Sequence, residues 1–229
     1  MTVKVLIVLT STDKFPSTGK PTGWYLPELA HPFKVLVDSG KVTFDSISPK
    51  GGKAPLDQDS VVQFKDDAAC QWFLKDAKAQ ELVNNTKTPS QVKASDYHAV
   101  LYPGGHGPMF DLATDTSIAK IAAEVYEKGG VVAAVCHGPA ALVPIKLSNG
   151  DSIVKGKKVT CFTNDEEDAV ALSKYMPFML ETKLQELGAT FNKAENWAEN
   201  VVVDGKLITG QNPASSAKLG KSILQLLLK

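Results

Sequence analysis

The sequence predicts an α/β fold of the flavodoxin-like kind, a mostly parallel sheet with helices on both faces and a nucleophile elbow. Three observations carry this. Apolar, β-branched runs of strand length recur at residues 3–9, 98–102 and 131–135, as strands buried on both faces require. Segments with helical spacing alternate with them, which specifies a parallel sheet covered on both sides. The run Gly129-Gly130-Val131-Val132-Ala133-Ala134-Val135-Cys136-His137-Gly138-Pro139 stops at a thiol flanked by small residues. A sharp strand-to-helix turn that lifts one side chain above the sheet demands such neighbours, here Ala134 and Gly138.

In chain order, Val3 to Leu9 reads as the first strand. The apolar stretch from Met1 is too short for a signal peptide or a membrane span and gives way to Ser11-Thr12-Asp13-Lys14. Pro27 to Ser39 shows helical spacing at Leu29, Phe33, Leu36 and Val37, and a strand follows at Lys41 to Ile47. Ser48 to Lys93 reads as an irregular insertion within a single domain spanning 1–229, with a loop at Pro49-Lys50-Gly51-Gly52 and one or two short helices within 68–84. The alternation resumes with a strand at His98 to Tyr102, a helix at Ser117 to Lys128, the strand Val131 to Val135 and a helix after the elbow. Val159 to Phe162 is a further strand and Glu166 to Leu187 a long helix containing Pro177. Val201 to Val203 and Lys206 to Thr209 form a hairpin over Asp204-Gly205, and Ala214 to Leu228 is a terminal helix.

Composition narrows the function. Acidic and basic residues balance at 25 each, the isoelectric point is about 6.9, and no block of like charge appears, so neither nucleic acid nor an anionic membrane is an expected partner. Every basic residue is lysine. Without arginine there is no bidentate fork for a carboxylate or phosphate, and a small, neutral or weakly charged substrate fits better. The three cysteines, 70, 136 and 161, lie far apart without CxxC or paired histidines, so neither a disulfide framework nor a metal site is expected. Reduced thiols suit a cytoplasmic location.

In sheets of this type active groups gather at the carboxyl edge. Gly104-Gly105-His106-Gly107, Cys136-His137 and the run Thr163-Asn164-Asp165-Glu166-Glu167 are all expected there. The helix following Cys136 should favour a thiolate through its N-terminal dipole. Full ionisation of an ordinary thiol gains only about 2 kcal/mol, so donors aimed at a developing oxyanion must supply more. The backbone N–H groups of Gly104, Gly105 and His137 are the candidates. His137 is the best general base, with His106 second; His31 and His98 read as structural. Glu28 lies in a first helical turn, where an acid is favoured by the dipole alone. Near the thiol it would share a proton with Cys136 or shuttle one on the substrate. Glu167 has a structural alternative, because Asn164 followed by Glu167 matches a capping box.

Taken together, Ala133 to Pro139, Tyr102-Pro103-Gly104-Gly105-His106-Gly107, and Gly23 through Pro32 with Glu28 resemble the DJ-1/PfpI superfamily. Within it the chain is most similar to the heat-shock chaperone and glutathione-independent glyoxalase (glyoxalase III) branch. The resemblance runs from the first strand to the Thr209 to Ser216 segment. It implies a homodimer in the cytoplasm or also the nucleus, with Cys136 as nucleophile, His137 beside it, Glu28 bonded to the thiol and a third acid at Glu167, for which Glu166 or Asp168 could substitute. The implied reaction converts methylglyoxal, a 2-oxoaldehyde, to lactate through a hemithioacetal without glutathione, metal or cofactor. Protein deglycation, a cysteine amidase or peptidase, and a holdase chaperone or oxidation sensor in which Cys136 is oxidised are the alternatives.

Overall fold

The computed structural model describes residues 3–229, so Met1 and Thr2 of the first apolar run lie outside it. Val3–Val8 (β1) is followed by a long loop and the helix Leu26–Asp38 (α1), then by Val42–Ile47 (β2). Ala99–Tyr102 (β3), Thr116–Glu127 (α5) and Val131–Val135 (β4) continue the alternation, and Val201–Asp204 (β7), Leu207–Gly210 (β8) and Ser216–Leu227 (α8) close the chain. The main sheet has the order β2-β1-β3-β4-β8-β7. Its first five strands are parallel, and β7 pairs antiparallel with β8 as the expected hairpin.

Strand residues alternate between two cores, as the period of two dictates. Val5, Ile7, Leu101, Ala133 and Val135 face α1 and α8, whereas Leu6, Val8, Val100, Val132 and Ala134 face α5 and the segments beyond it. The central strands β1, β3, β4 and β8 are therefore buried on both faces, while the edge strands β2 and β7 are partly exposed.

Three expectations are corrected. The segment after the elbow is a five-residue 3₁₀ turn, Gly138–Leu142, rather than an α-helix. The strand expected at 159–162 is two residues long, Lys158–Val159 (β5), and pairs with Thr190–Phe191 (β6) in a separate small sheet. The long helix expected over 166–187 is two short ones, Asn164–Ala169 (α6) and Leu180–Glu186 (α7). Ala171 at φ 58 turns the chain out of α6, and Pro177, which has no N–H to offer a helix interior, lies in the connection.

The insertion is more regular than its sequence suggests. It holds Gln58–Gln63 (α2), Ala68–Lys75 (α3) and Ala77–Asn84 (α4), each N-capped by an aspartate, Asp57, Asp67 and Asp76. Their caps satisfy backbone donors that short helices leave free, and α3 packs against α1. No helix among the described residues is long and apolar enough to cross a membrane.

Candidate active site

Three chain segments meet at the carboxyl edge of the sheet around one cavity of about 460 Å³, lined among others by Glu28, Gly105, His106, Cys136 and His137. Order in the sheet explains the meeting point. The chain runs from β1 outward to β2 and then back to β3 on the other side, and the crevice at such a reversal lies above the strand ends.

Cys136 sits at φ 59, the strained left-handed backbone of an elbow. The turn is held on both sides: Cys136 N–H donates to the Gly210 carbonyl at 3.0 Å, and the Cys136 carbonyl accepts from Phe162 N–H at 2.9 Å. Gly138 must be glycine, because a Cβ there would lie 2.1 Å from the Tyr102 carbonyl oxygen. Gly104 is equally constrained, with a Cβ falling 2.6 Å from Glu28 Oε2 and 2.7 Å from the His137 nitrogen.

A continuous relay leads away from the sulfur. Cys136 Sγ lies 3.4 Å from His137 Nδ1, His137 Nε2 lies 2.5 Å from Glu167 Oε2, and Glu167 Oε1 lies 2.9 Å from His106 Nε2. The two ring nitrogens of His137 thus serve two different partners, which is what a thiol–imidazole–carboxylate arrangement requires. His137 is 1% exposed and Glu167 5%. The two imidazoles, His137 first and His106 as well, hold the Glu167 carboxyl well below the usual carboxylate range despite its burial. Burial, together with the neighbouring His137, pushes His106 down, against the opposing hydrogen bond with Glu167. His106, Phe162 and His137 also stack closely, with His137 4.1 Å from His106 and 4.6 Å from Phe162 between ring centroids. Ligand-type atoms of His106, His137 and Glu167 lie within 4.8 Å of one another, although these atoms are already consumed by their mutual hydrogen bonds.

Glu28 approaches Cys136 from α1. It is fully buried; Oε2 accepts from Gly104 N–H at 2.7 Å, and Oε1 has no fixed partner. Burial pushes this carboxyl up to about 8, against the opposing hydrogen bonds from the Cys136 thiol and Gly104 N–H. The thiol itself is raised well above its ordinary range by burial, with Glu28 adding to the effect. The helix dipole expected to favour a thiolate is missing: a short 3₁₀ turn replaces the helix, and the neighbouring Glu28 opposes ionisation. Burial thus favours the protonated, neutral form of both groups.

Of the expected oxyanion donors, Gly104 N–H is committed to Glu28, and Gly105 N–H also leans on that carboxyl. His137 N–H is the one not engaged with it.

The acid register settles by capping. Thr163, not Asn164, is the N-cap of α6, and the capping box pairs it with Glu166. Glu166 is turned inward, where Oε1 accepts from Trp197 N–H, Gln211 Nε2 and Asn212 Nδ2 and Oε2 from Thr163 N–H. Asp168 is exposed and bonded to Ser173. That leaves Glu167 facing His137. Thr163-x-x-Glu166 is itself a capping-box signature and was the signal to follow. Trp197, at φ 66 beside the cavity, had no such signal. His98 accepts from Lys4 N–H and is structural as expected.

A mostly parallel sheet bearing an elbow thiol, an imidazole and buried carboxyls at its carboxyl edge defines a flavodoxin-like protein with a candidate thiol site. The chain belongs to the DJ-1/PfpI family, whose profile matches residues 26–226. It is 36% identical to the probable glutathione-independent glyoxalase hsp3103 of Schizosaccharomyces pombe over 93% of each chain. Two solved structures superpose closely. The 24 kDa Rapid Encystment Protein of Francisella tularensis matches with a TM-score of 0.94 at 37% identity, covering 99% of this chain and 100% of that one. Glyoxalase III of Candida albicans matches with a TM-score of 0.90 at 33% identity, covering 98% and 97%.

Proposed function

We propose that this protein is a glutathione-independent glyoxalase that converts methylglyoxal, or a closely related small 2-oxoaldehyde, to the 2-hydroxy acid. The observation that carries the reading is the flanking of one sulfur by two differently tuned acid–base systems, Glu28 on one side and His137 with Glu167 on the other. The names of the relatives agree with it.

Cys136 Sγ gives its proton to Glu28 and attacks the aldehyde carbon, and the resulting alkoxide is protonated to a hemithioacetal. Glu28, again a carboxylate, removes the hydrogen on C1 and returns a proton to C2 through an enediol. His137, oriented by Glu167, stabilises the charge that gathers on the ketone oxygen. The product is a thioester on Cys136, which water cleaves to release the acid and restore the thiol. Each carbon exchanges hydrogen only with groups of this chain, so the cycle consumes one water and needs no external thiol. A raised carboxyl suits this work, because a base near the operating pH can both accept and return the proton. A homodimer is proposed as the working assembly.

Purified protein is expected to consume methylglyoxal without added thiol, and Cys136→Ala to lower kcat/KM by at least about a thousandfold. Turnover retained by the alanine variant would sink the mechanism. Suppression of aggregation without aldehyde consumption would favour the chaperone reading instead.

A further inference from the structure

Away from the cavity, His31 on α1 and Asp67 and Cys70 at the start of α3 converge. His31 Nε2 lies 3.1 Å from Asp67 Oδ1 and 3.9 Å from Cys70 Sγ, and the three ligand-type atoms lie within 4.8 Å of one another. We propose that these three side chains bind a divalent transition-metal ion of the zinc class, which ties the insertion helix α3 to α1.

The geometry argues against two simpler readings. A catalytic relay uses both nitrogens of an imidazole, as His137 does; here the carboxylate and the sulfur approach the same nitrogen. Without a metal, the Cys70 thiol and His31 Nε2 both direct their protons at the one Asp67 carboxylate. An ion pair between His31 and Asp67, in turn, needs no sulfur. A cation at the common focus satisfies all three.

The dimensions also fit. With bonds of about 2.0–2.2 Å to nitrogen and oxygen and about 2.3 Å to sulfur, a tetrahedral ion separates its nitrogen and oxygen ligands by about 3.3 Å and its nitrogen and sulfur ligands by about 3.6 Å. The observed 3.1 and 3.9 Å lie within a few tenths of an ångström of these values, and the oxygen–sulfur pair lies within 4.8 Å. Mixed imidazole, thiolate and carboxylate donors select zinc over calcium or magnesium.

Access and support differ among the ligands. Cys70 is fully buried, while the His31 and Asp67 side chains retain 18% and 31% exposure, so an ion enters from the solvent side and keeps water as a fourth ligand. Asp67 Oδ1 accepts Cys70 N–H at 2.8 Å as the N-cap of α3, which fixes the Asp67-x-x-Cys70 pair before any metal arrives. On binding, the thiol proton leaves to solvent and a metal–sulfur bond forms with no change in oxidation state. The pattern escapes a search by spacing because its ligands lie 36 residues apart along the chain, as 67 minus 31.

Cobalt(II) titration of the full chain, reduced with a phosphine, is the test. Wild type should develop an intense thiolate-to-cobalt absorption and tetrahedral d–d bands that saturate at one equivalent, and zinc should displace them. Cys70→Ser should abolish the charge-transfer band, and Cys136→Ser should retain it. Because Cys70 is buried, Asp67→Asn is the second variant: asparagine keeps the helix cap but removes the ligand charge, and should weaken cobalt binding at least about tenfold with circular dichroism unchanged. No thiolate band in wild type, a band that survives Cys70→Ser, a band lost in Cys136→Ser, or full affinity in Asp67→Asn overturns the assignment.

Discussion

The proton between Glu28 and Cys136 sets the pH behaviour of the site. Both groups are raised by burial, Glu28 to about 8, so at neutral pH most molecules hold one proton more than the reaction needs. The expected kcat/KM for methylglyoxal therefore rises about tenfold per pH unit below 8 and levels off above it, and Glu28→Gln loses both the inflection and most of the activity. A profile flat between about pH 6 and 9, or an inflection kept in the glutamine variant, excludes the assignment. Stability moves the other way. The folded Glu28 is raised above its unfolded value of 4.5, so its protonated form supports the fold and stability is lost as pH climbs from about 4.5 to 8, by up to about 1.4 kcal/mol per unit. Thermal denaturation near pH 9 should find Glu28→Gln more stable than wild type. Cys136 and His137 were legible in the sequence because the elbow gives them a local signature, whereas Glu28 was marked by the resemblance and not by its helical position. Their protonation states were not, since burial and a neighbour 108 residues away, 136 minus 28, decide them.

At the scale of elements, the departures from expectation share one cause. Periodicity reports which face of a segment is apolar, but not where the backbone leaves the helical region, and Ala171 and the Pro177 connection interrupt a pattern that continues on either side. The elbow misled in the same way: Gly138-Pro139 begins a turn well enough, yet it closes as 3₁₀ and delivers little dipole to the sulfur. The capping box was read one residue late, as Asn164 to Glu167 instead of Thr163 to Glu166, because two overlapping boxes can be written there and only the inward network on Glu166 distinguishes them; Glu167 itself faces His137, as the resemblance implied. That network makes α6, the Trp197 turn and the end of β8 one unit. Glu166→Gln replaces one acceptor oxygen with an amide NH₂ that faces N–H donors. It should cost about 2–3 kcal/mol in urea denaturation and alter tryptophan emission through Trp197. A variant as stable as wild type, with unaltered emission, would show that the network does not couple these segments.

Across the whole molecule, the alternation of strands and helices was readable because a parallel sheet buried on both faces leaves continuous apolar runs. The convergence of the glycine loop, the elbow and the acid run followed from topology alone. The helices of the insertion were less legible, because they rest on aspartate caps and on packing against α1 rather than on strong periodicity. The same enclosure has a consequence for how the protein meets its chemical surroundings. All three thiols are buried, Cys70 and Cys161 completely, and Cys136 keeps 4% exposure against the cavity. The fold is thus a sieve for electrophiles. Slim reagents such as iodoacetamide should alkylate Cys136 ahead of the other two in a peptide mass spectrum, while a broad aromatic disulfide should react with the native protein at least about tenfold more slowly than with the urea-unfolded chain. Equal rates in the two states would mean that the cavity mouth offers no barrier of girth.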